Sequence, residues 1–269
     1  MKAAIVYFSG TGNTLRVGEV FKSYLEDLKY KVDMIDITKQ KNVHKGYDLF
    51  VAGTPTQNAV STFNMTDYIS KYISVKNNPN AKFITYVTHS WKIAYGHLII
   101  KDFVSKKGFK VVGARAFLAP NNFYMFRKDQ PKFGEEKFKQ TLLNIYDGVA
   151  ELMDAFVNEE VFIDERSGYQ KKKQYFIAKA IKATMLPRLA KLMMKVDSDK
   201  CSGCGVCVKK CSNGNIRLND GRIVFLNQCV GCIRCMHVCP KNAYKLLNEP
   251  FEQYEGIKRP ISELISKTS

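Results

Sequence analysis

Cysteine is missing from most of this chain: all eight cysteines lie between positions 201 and 239. Disulfides and cysteine-bound metals are therefore excluded from the first 200 residues. The sequence also lacks any apolar run that approaches the roughly 18 residues of a membrane-spanning helix. Residues 1–8 contain one lysine and an apolar run too short for the core of a secretory signal. We therefore expect a cytoplasmic protein without a leader.

Recognisable catalytic groupings are absent as well. The sequence has no Ser/His/Asp arrangement, no histidine cluster of the metal-ligand type and no carboxylate pair typical of a substrate site. No catalytic residue is therefore predicted. The length of 269 residues is typical of two domains.

Acidic residues are scarce relative to basic ones, and the formal net charge is +17. The excess lies mainly in the middle and C-terminal parts: residues 1–164 carry +5, 165–200 carry +7, 201–247 carry +6 and 248–269 carry −1. Such a basic surface either is a lysine-rich solvated face or attracts an acidic protein partner. Nucleic acid is disfavoured as a partner, because the basic segment lacks aromatic residues spaced for base stacking.

The eight cysteines form two copies of the pattern C-x2-C-x2-C-x3-C, at 201–211 and 229–239. A structural zinc site takes four ligands, usually as two C-x2-C pairs, so the third closely spaced cysteine disfavours zinc. Disulfides would need an oxidising compartment. The spacing therefore favours two iron-sulfur clusters of the [4Fe-4S] type.

Residues 197–247 resemble a bacterial-type two-cluster ferredoxin domain, which is a small α+β fold. The resemblance implies that each cysteine run gives three ligands to one cluster and its fourth cysteine to the other. One cube would then be held by Cys201, Cys204, Cys207 and Cys239, and the other by Cys229, Cys232, Cys235 and Cys211. Pro240 follows Cys239 as the motif expects, but Ser212 follows Cys211 and leaves the chain there less constrained.

The first 160 residues alternate between strand and helix patterns. This alternation predicts an α/β fold with a doubly wound, five-stranded parallel sheet. Five strands, with a glycine-rich segment that opens the first helix, indicate the order 2-1-3-4-5. A ligand is then expected outside the carboxyl ends of the strands. The predicted strands are 2–8, 32–37, 49–52, 83–87 and 111–118, and the predicted helices are 14–28, 62–74, 93–107 and 134–157.

The segment Ser-Gly-Thr-Gly-Asn-Thr at 9–14 follows the first predicted strand and opens the first predicted helix. Its alternating hydroxyls, its glycines and the helix N-terminus can bind a phosphate without any lysine. A Walker A loop would need lysine where Asn13 stands, and a dinucleotide fingerprint would need glycine where Leu15 stands. By itself the segment leaves two interpretations open, a phosphate site and a plain turn.

The segment 9–14 resembles the FMN phosphate loop of flavodoxins, and Gly-Thr-Pro-Thr-Gln-Asn-Ala at 53–59 is similar to the loop that flanks their flavin ring. The chain as a whole resembles flavodoxin-ferredoxin fusion proteins. The resemblance implies a flavodoxin-like N-terminal fold that binds FMN, with the phosphate held by Ser9, Thr11, Gly12, Asn13 and Thr14. It also implies that the isoalloxazine ring is flanked by Pro55, Thr56, Gln57, Asn58 and Ala59 on one side, and by Thr88, His89, Ser90 and Trp91 on the other.

Several ring positions have a second interpretation. Residues 57–59 include no aromatic side chain that could stack on the flavin. Trp91 therefore either supplies the aromatic face or belongs to the core. His89 either contacts the flavin or has an ordinary loop or cap role. The segment 119–130, a long loop after the fifth predicted strand, is a candidate cover for the ring.

We predict four segments: an FMN domain at 1–164, a basic amphipathic linker helix within 165–196, the ferredoxin domain at 197–247 and a tail at 248–269. The apolar pattern at 175–196, divided at Pro187, favours a helix that packs between domains over one that lies on a membrane surface. The predicted function is the relay of low-potential electrons between two [4Fe-4S] clusters, FMN and an acidic redox partner such as a ferredoxin, a flavodoxin or an oxidoreductase. The alternative is a flavin-dependent reductase that acts directly on a small acceptor such as a quinone.

Overall fold

A computed structural model describes residues 1–57, 60–61, 63–90, 94–122, 135–166, 168, 170–184 and 186–254. The described residues form two compact units. The first takes in residues 1–121 and 135–175, and the second takes in residue 122 and residues 176–254. The division falls within the segment 165–196 that the sequence pattern marks as the linker.

The first unit is built on one mainly parallel sheet. Its strands are β1 (Lys2–Tyr7), β2 (Lys31–Asp36), β3 (Leu49–Gln57), β4 (Val60–Ser61), β5 (Lys82–His89), β6 (Lys110–Leu118) and β7 (Phe162–Ile163). The order is β2-β1-β3-β5-β6-β7, and β4 pairs antiparallel with the end of β3. The five predicted strands and their 2-1-3-4-5 order are therefore confirmed. The pattern did not predict β4 and β7, which have two residues each and are too short to show a periodicity.

Two of the strands run further than the sequence pattern predicts. Residues 53–57 continue β3 and residues 88–89 continue β5, although both segments were expected in loops; Pro55 pairs with Thr88. The last β3 residue that pairs with β1 is Gly53. Beyond it β3 has become an edge on that side, where proline's missing N–H breaks no ladder bond.

Helices cover both faces of this sheet, which is why its strands read as continuous apolar runs. On one face lie α1 (Asn13–Asp27) and α4 (Glu135–Val157), while α2 (Phe63–Tyr72) follows β4 and α3 (Gly96–Lys106) packs against β5 and β6. The apolar positions of α1 and α4 share one core with alternate strand residues: Val17, Phe21, Val149, Leu152, Ile5, Val51 and Ile84. The intervening strand residues Ala4, Phe50 and Phe83 are fully buried too.

The helical segment predicted at 175–196 is divided at Pro187, as its pattern indicates, but its bounds differ from the prediction. The helix α5 (Lys171–Thr184) begins earlier, a 3-10 turn at Leu186–Arg188 contains Pro187, and α6 (Leu189–Met193) and β8 (Met194–Val196) follow. Proline removes a backbone donor and so ends the helical ladder here. Phe176 and Ile177 of the predicted apolar face are exposed, whereas Ala190 and Met194 are buried in the core of the second unit.

The second unit is small and mainly antiparallel. Its elements after β8 are α7 (Val206–Lys210), β9 (Ile216–Asn219), β10 (Arg222–Phe225), α8 (Arg234–His237), β11 (Tyr244–Leu246) and β12 (Glu249–Pro250). One sheet has the order β12-β11-β8, and β9 and β10 form a hairpin. In the described part of the chain, none of the helices has the length and apolar character needed to span a membrane.

Candidate functional site

The second unit gathers the eight cysteines into two sets of four, each around its own cavity. Cys201, Cys204, Cys207 and Cys239 line the first cavity, which has an open volume of about 350 Å³. Cys211, Cys229, Cys232 and Cys235 line the second, with an open volume of about 360 Å³. These are the two predicted ligand sets, each with one cysteine from the other run. All eight cysteines are free thiols, so the disulfide interpretation does not describe this structure.

A repeated local geometry aims the cysteines of both runs inward. Gly203 and Gly231 occupy equivalent positions with φ of 67° and 66°. Gly205 (φ 68°) and Ile233 (φ 49°) are likewise equivalent and stand at the start of α7 and α8, just before the buried Cys207 and Cys235. A left-handed conformation is unusual for a β-branched residue. The chain therefore accepts strain at Ile233, which lines the second cavity.

Backbone N–H groups point at several sulfur atoms. Asn215 N donates to Cys211 Sγ at 3.2 Å and Ala243 N donates to Cys239 Sγ at 3.4 Å, four residues after the cysteine in each case. Gly231 N donates to Cys229 Sγ at 3.3 Å. Such donors stabilise a negatively charged sulfur.

Burial acts against these donors in the free thiols. Burial raises the pKa of Cys229 to about 11, despite the opposing Gly231 donor, and it raises the pKa of Cys207 as well. Iron binds the thiolate, so both groups must lose a proton when they become ligands. Among the described residues, no group of three or more His, Cys, Asp or Glu side chains is placed to hold a single metal ion. Four thiols around a cavity are the donor set that a [4Fe-4S] cube requires.

The predicted phosphate loop lies at the carboxyl edge of the first unit's sheet. Gly12 has φ 105° and immediately precedes α1, whose first turn contains no acidic residue. A Cβ at Gly12 would meet no atom of the described residues within 4 Å, so the loop is open toward them at this point. Gly12 N donates to Ser9 Oγ at 3.1 Å, which closes the loop on itself. The start of a 15-residue helix with no acidic first turn favours an anion.

Three contacts fix the start of α1 to the ends of other strands. Thr14 Oγ1 lies 2.8 Å from Thr88 Oγ1 at the end of β5. Asn13 Nδ2 donates to the Pro120 carbonyl at 2.9 Å, just after β6. The buried Tyr86 hydroxyl donates to the Thr14 carbonyl at 3.0 Å. The loop, β5 and the segment after β6 are thereby joined at one edge, as the strand order predicts.

The predicted ring positions lie at the same edge as far as they are described. Pro55 and Thr56 are half-buried at the end of β3, Thr88 is buried, and His89 and Ser90 are half-buried at the end of β5. Gln57 has a described backbone in β3. Asn58, Ala59, Trp91 and most of the predicted cover, residues 123–130, lie outside the described residues.

Two polar atoms near the end of β3 and the start of α2 are buried without a hydrogen-bond partner among the described residues. They are Thr56 Oγ1 and Asn64 Oδ1. A buried polar group is normally paired, so these two atoms are candidates to contact a polar ligand. Sequence reasoning missed Asn64, because one asparagine at the start of a helix carries no distinguishing pattern.

Comparison with known proteins shows that the second unit is similar to 4Fe-4S ferredoxins. A family model described as a 4Fe-4S dicluster domain matches residues 181–244. Ferredoxin-3 of Nostoc sp. is 31% identical over 81 residues, which are 23% of this chain and 80% of that ferredoxin. An archaeal-type glutamate synthase [NADPH] of Dehalococcoides mccartyi is 39% identical over 72 residues, or 26% of this chain, and the chain spans only 14% of the length of that synthase.

Solved flavodoxin structures align with more than half of the chain at low sequence identity. A flavodoxin from the domain Archaea is 18% identical with a TM-score of 0.39 and covers 57% of this chain and 99% of its own. Oxidised flavodoxin 1 of Bacillus cereus is 13% identical with a TM-score of 0.40, at 57% and 98% coverage. Independently of these alignments, the first unit has the strand order of flavodoxins. The chain therefore joins a domain with the flavodoxin strand order to a 4Fe-4S dicluster ferredoxin domain, which is the arrangement of flavodoxin-ferredoxin fusion proteins.

Proposed function

We propose that this chain binds one FMN and two [4Fe-4S] clusters and passes low-potential electrons between them and an acidic partner protein. The observation that carries the proposal is the division of eight cysteines into two separate sets of four, each around a cavity. When bound, each cube supplies a one-electron site and the flavin a one- or two-electron site. Two complete ligand sets support a count of two clusters.

The carboxyl edge of the first unit supports FMN as the flavin. The open Gly12 loop and the N-terminus of α1 suit a terminal phosphate. Thr56 Oγ1 and Asn64 Oδ1, which have no hydrogen-bond partner in the part of the chain that the structure describes, suit the polar edge of an isoalloxazine ring. The glycine at position 15 that a dinucleotide-binding turn would need is replaced by leucine.

The first cube is the better candidate for electron exchange with a partner. Cys204 is the one exposed cysteine of the eight, and it lines the first cavity together with the exposed Lys241. Lys209 and Lys210 end α7 and are exposed as well. Lys245, by contrast, is paired with Asp197 at 3.0 Å. Exposed lysines beside a cluster attract an acidic protein mainly by raising its association rate.

The cofactor part of the proposal is tested by anaerobic reconstitution. Iron, acid-labile sulfide and flavin are counted per chain, and about eight iron atoms and one FMN are expected. Zinc in place of iron, or a chain that retains no FMN, would contradict the proposal.

The partner part is tested by stopped-flow electron transfer to an acidic ferredoxin at several salt concentrations. We expect Lys209→Glu/Lys210→Glu to slow association by about tenfold at low salt and to flatten its salt dependence. Lys39→Glu/Lys41→Glu makes the same charge change at exposed positions of the first unit and is the matched control. Equal rates in both variants would refute a docking role for the cluster domain. Fast turnover of quinones or other small acceptors, unchanged in either variant, would instead support a flavin-dependent reductase.

A further inference from the structure

The two halves of the ferredoxin unit repeat with a spacing of 28 residues, and the residues beside the cavities differ between the halves at several positions. Ser212 follows Cys211, where Pro240 follows Cys239 in the other half. Tyr244 comes five residues after Cys239, where Ile216 comes five residues after Cys211. Each of these two differences places a buried or half-buried hydroxyl in one half that the other half lacks at the equivalent position.

The Ser212 hydroxyl belongs to the second cavity. Its Oγ lies 3.6 Å from Cys232 Sγ, within the range of a hydrogen bond to sulfur. Ser212 is half-buried and lines the cavity of Cys211, Cys229, Cys232 and Cys235. A cysteine that binds iron is a thiolate and can only accept, so the hydroxyl must be the donor. Pro240, the equivalent residue, has no donor to offer the first cavity.

The Tyr244 hydroxyl belongs to the first cavity. Tyr244 is 2% exposed and lines the cavity of Cys201, Cys204, Cys207 and Cys239. Its hydroxyl is buried and makes no hydrogen bond of regular geometry among the described residues. It lies beside Cys207, which lines the same cavity. A buried hydroxyl without a hydrogen bond of regular geometry is costly, and the sulfur atoms of a cube would accept one.

We propose that these two hydroxyls are positioning donors that tune the two cubes separately, Ser212 for the second cube and Tyr244 for the first. The proposal rests on the proposed cluster binding. A cube gains negative charge when it is reduced, so a donor to its sulfur stabilises the reduced form and raises the reduction potential. Each donor acts on its own cube, because each lines only one of the two cavities.

The test is a potentiometric titration of the reconstituted full-length protein, followed by electron paramagnetic resonance. Ser212→Ala and Tyr244→Phe each remove one hydroxyl and little volume. We expect each variant to shift the reduction equilibrium of one cube about tenfold toward the oxidised form, which is about 59 mV for one electron. The two variants should shift different one-electron waves, and the double variant should shift both. Ser212→Thr keeps the hydroxyl and should retain the wild-type potential.

Each single variant serves as a control for the other, and Ser198→Ala provides a third. Ser198 is exposed, with its hydroxyl 3.4 Å from Asp199 Oδ1, and it lines neither cavity. Iron and sulfide content must equal that of the wild type in every variant. If both variants keep their full iron content and their reduction potentials equal those of the wild type, the tuning role is refuted. It is also refuted if Ser212→Ala and Tyr244→Phe shift the same one-electron wave. A wild-type protein that binds no iron would refute the proposed function itself.

Discussion

Replacement of Gly53 should most directly disturb the carboxyl edge of the first unit's sheet, the proposed FMN site. A Cβ at this position would overlap the Tyr86 ring and its hydroxyl, so Gly53→Ala forces the ring to move. Tyr86 is completely buried, and its hydroxyl donates to the Thr14 carbonyl at 3.0 Å. Displacement of the ring therefore also breaks this hydrogen bond, which holds the end of the phosphate loop against β5.

The expected cost follows from these two effects. Overpacking of a buried site costs about 1–3 kcal/mol, and loss of a buried hydrogen bond adds about 1 kcal/mol. We therefore expect Gly53→Ala to lower the free energy of unfolding of the first unit by about 2–4 kcal/mol. We also expect FMN affinity to fall by about tenfold or more, since each tenfold corresponds to about 1.4 kcal/mol.

Gly113→Ala is the matched control, since Gly113 also lies in a central strand. A Cβ there would meet Leu152 Cδ2 at 3.0 Å and Ile84 Cγ1 at 3.3 Å. These separations exceed those to the Tyr86 ring at Gly53, and Leu152 Cδ2 is the end of a side chain that can shift, so the cost should stay near 1 kcal/mol. FMN affinity should be nearly unchanged. Urea unfolding followed by circular dichroism and flavin fluorescence titration measure the two quantities.

A double-mutant cycle identifies the cause. Tyr86→Ala removes the ring, so Gly53→Ala should cost little more in that background, with a coupling energy of at least 1 kcal/mol. Equal losses in both backgrounds would show that the Tyr86 clash is not the cause. A cost of Gly53→Ala no larger than that of Gly113→Ala would also refute the clash.

Three further predictions concern other parts of the chain. Cys239→Ser should reduce the content of the cube whose other ligands lie more than thirty residues upstream; selective loss of the other cube, seen by iron analysis and spectroscopy, would refute the crossed ligation. Asn64→Leu should weaken FMN about tenfold if its unpaired Oδ1 meets the ring, whereas an unchanged dissociation constant would remove Asn64 from the site. Burial lowers the pKa of His44, helped by Lys2 and opposed by Asp33, so the folded chain binds fewer protons than the unfolded chain below about pH 6.5. The free energy of unfolding should therefore fall as pH drops from 6.5 toward the lowered pKa, and His44→Asn should make that slope less steep in urea titrations.

The predicted elements succeeded where local sequence and tertiary packing agree. The central strands are apolar over their whole length because both faces are covered, and α1 repeats its apolar positions at helical spacing. The apolar face predicted at 175–196 is not buried as one surface, because its residues lie in different surroundings. Phe176 is exposed, whereas Ala190 and Met194 are buried in the hydrophobic core of the second unit. The apolar periodicity of the sequence cannot tell these two cases apart.

The ends of β3 and β5 show a second limit. Pro55 looks like a strand terminator, yet it lies in a strand because β1 has already ended beside it. Whether a proline breaks a ladder depends on which neighbouring strand is present at that level, and this is a property of the sheet rather than of the segment.

The amino-acid sequence by itself determined the chemistry of the sites. Cysteine spacing favoured iron-sulfur clusters over zinc, and a loop of glycines and hydroxyls before a helix predicted an anion site, because both depend on residues a few positions apart. Only the tertiary structure decided that the Ser212 hydroxyl faces the Cys232 sulfur and that Tyr86 requires glycine at position 53. It also decided that, among the described residues, Asn64 and Thr56 have buried atoms without a hydrogen-bond partner. These contacts join residues that are distant in sequence, so they depend on how the elements pack, which no local pattern records.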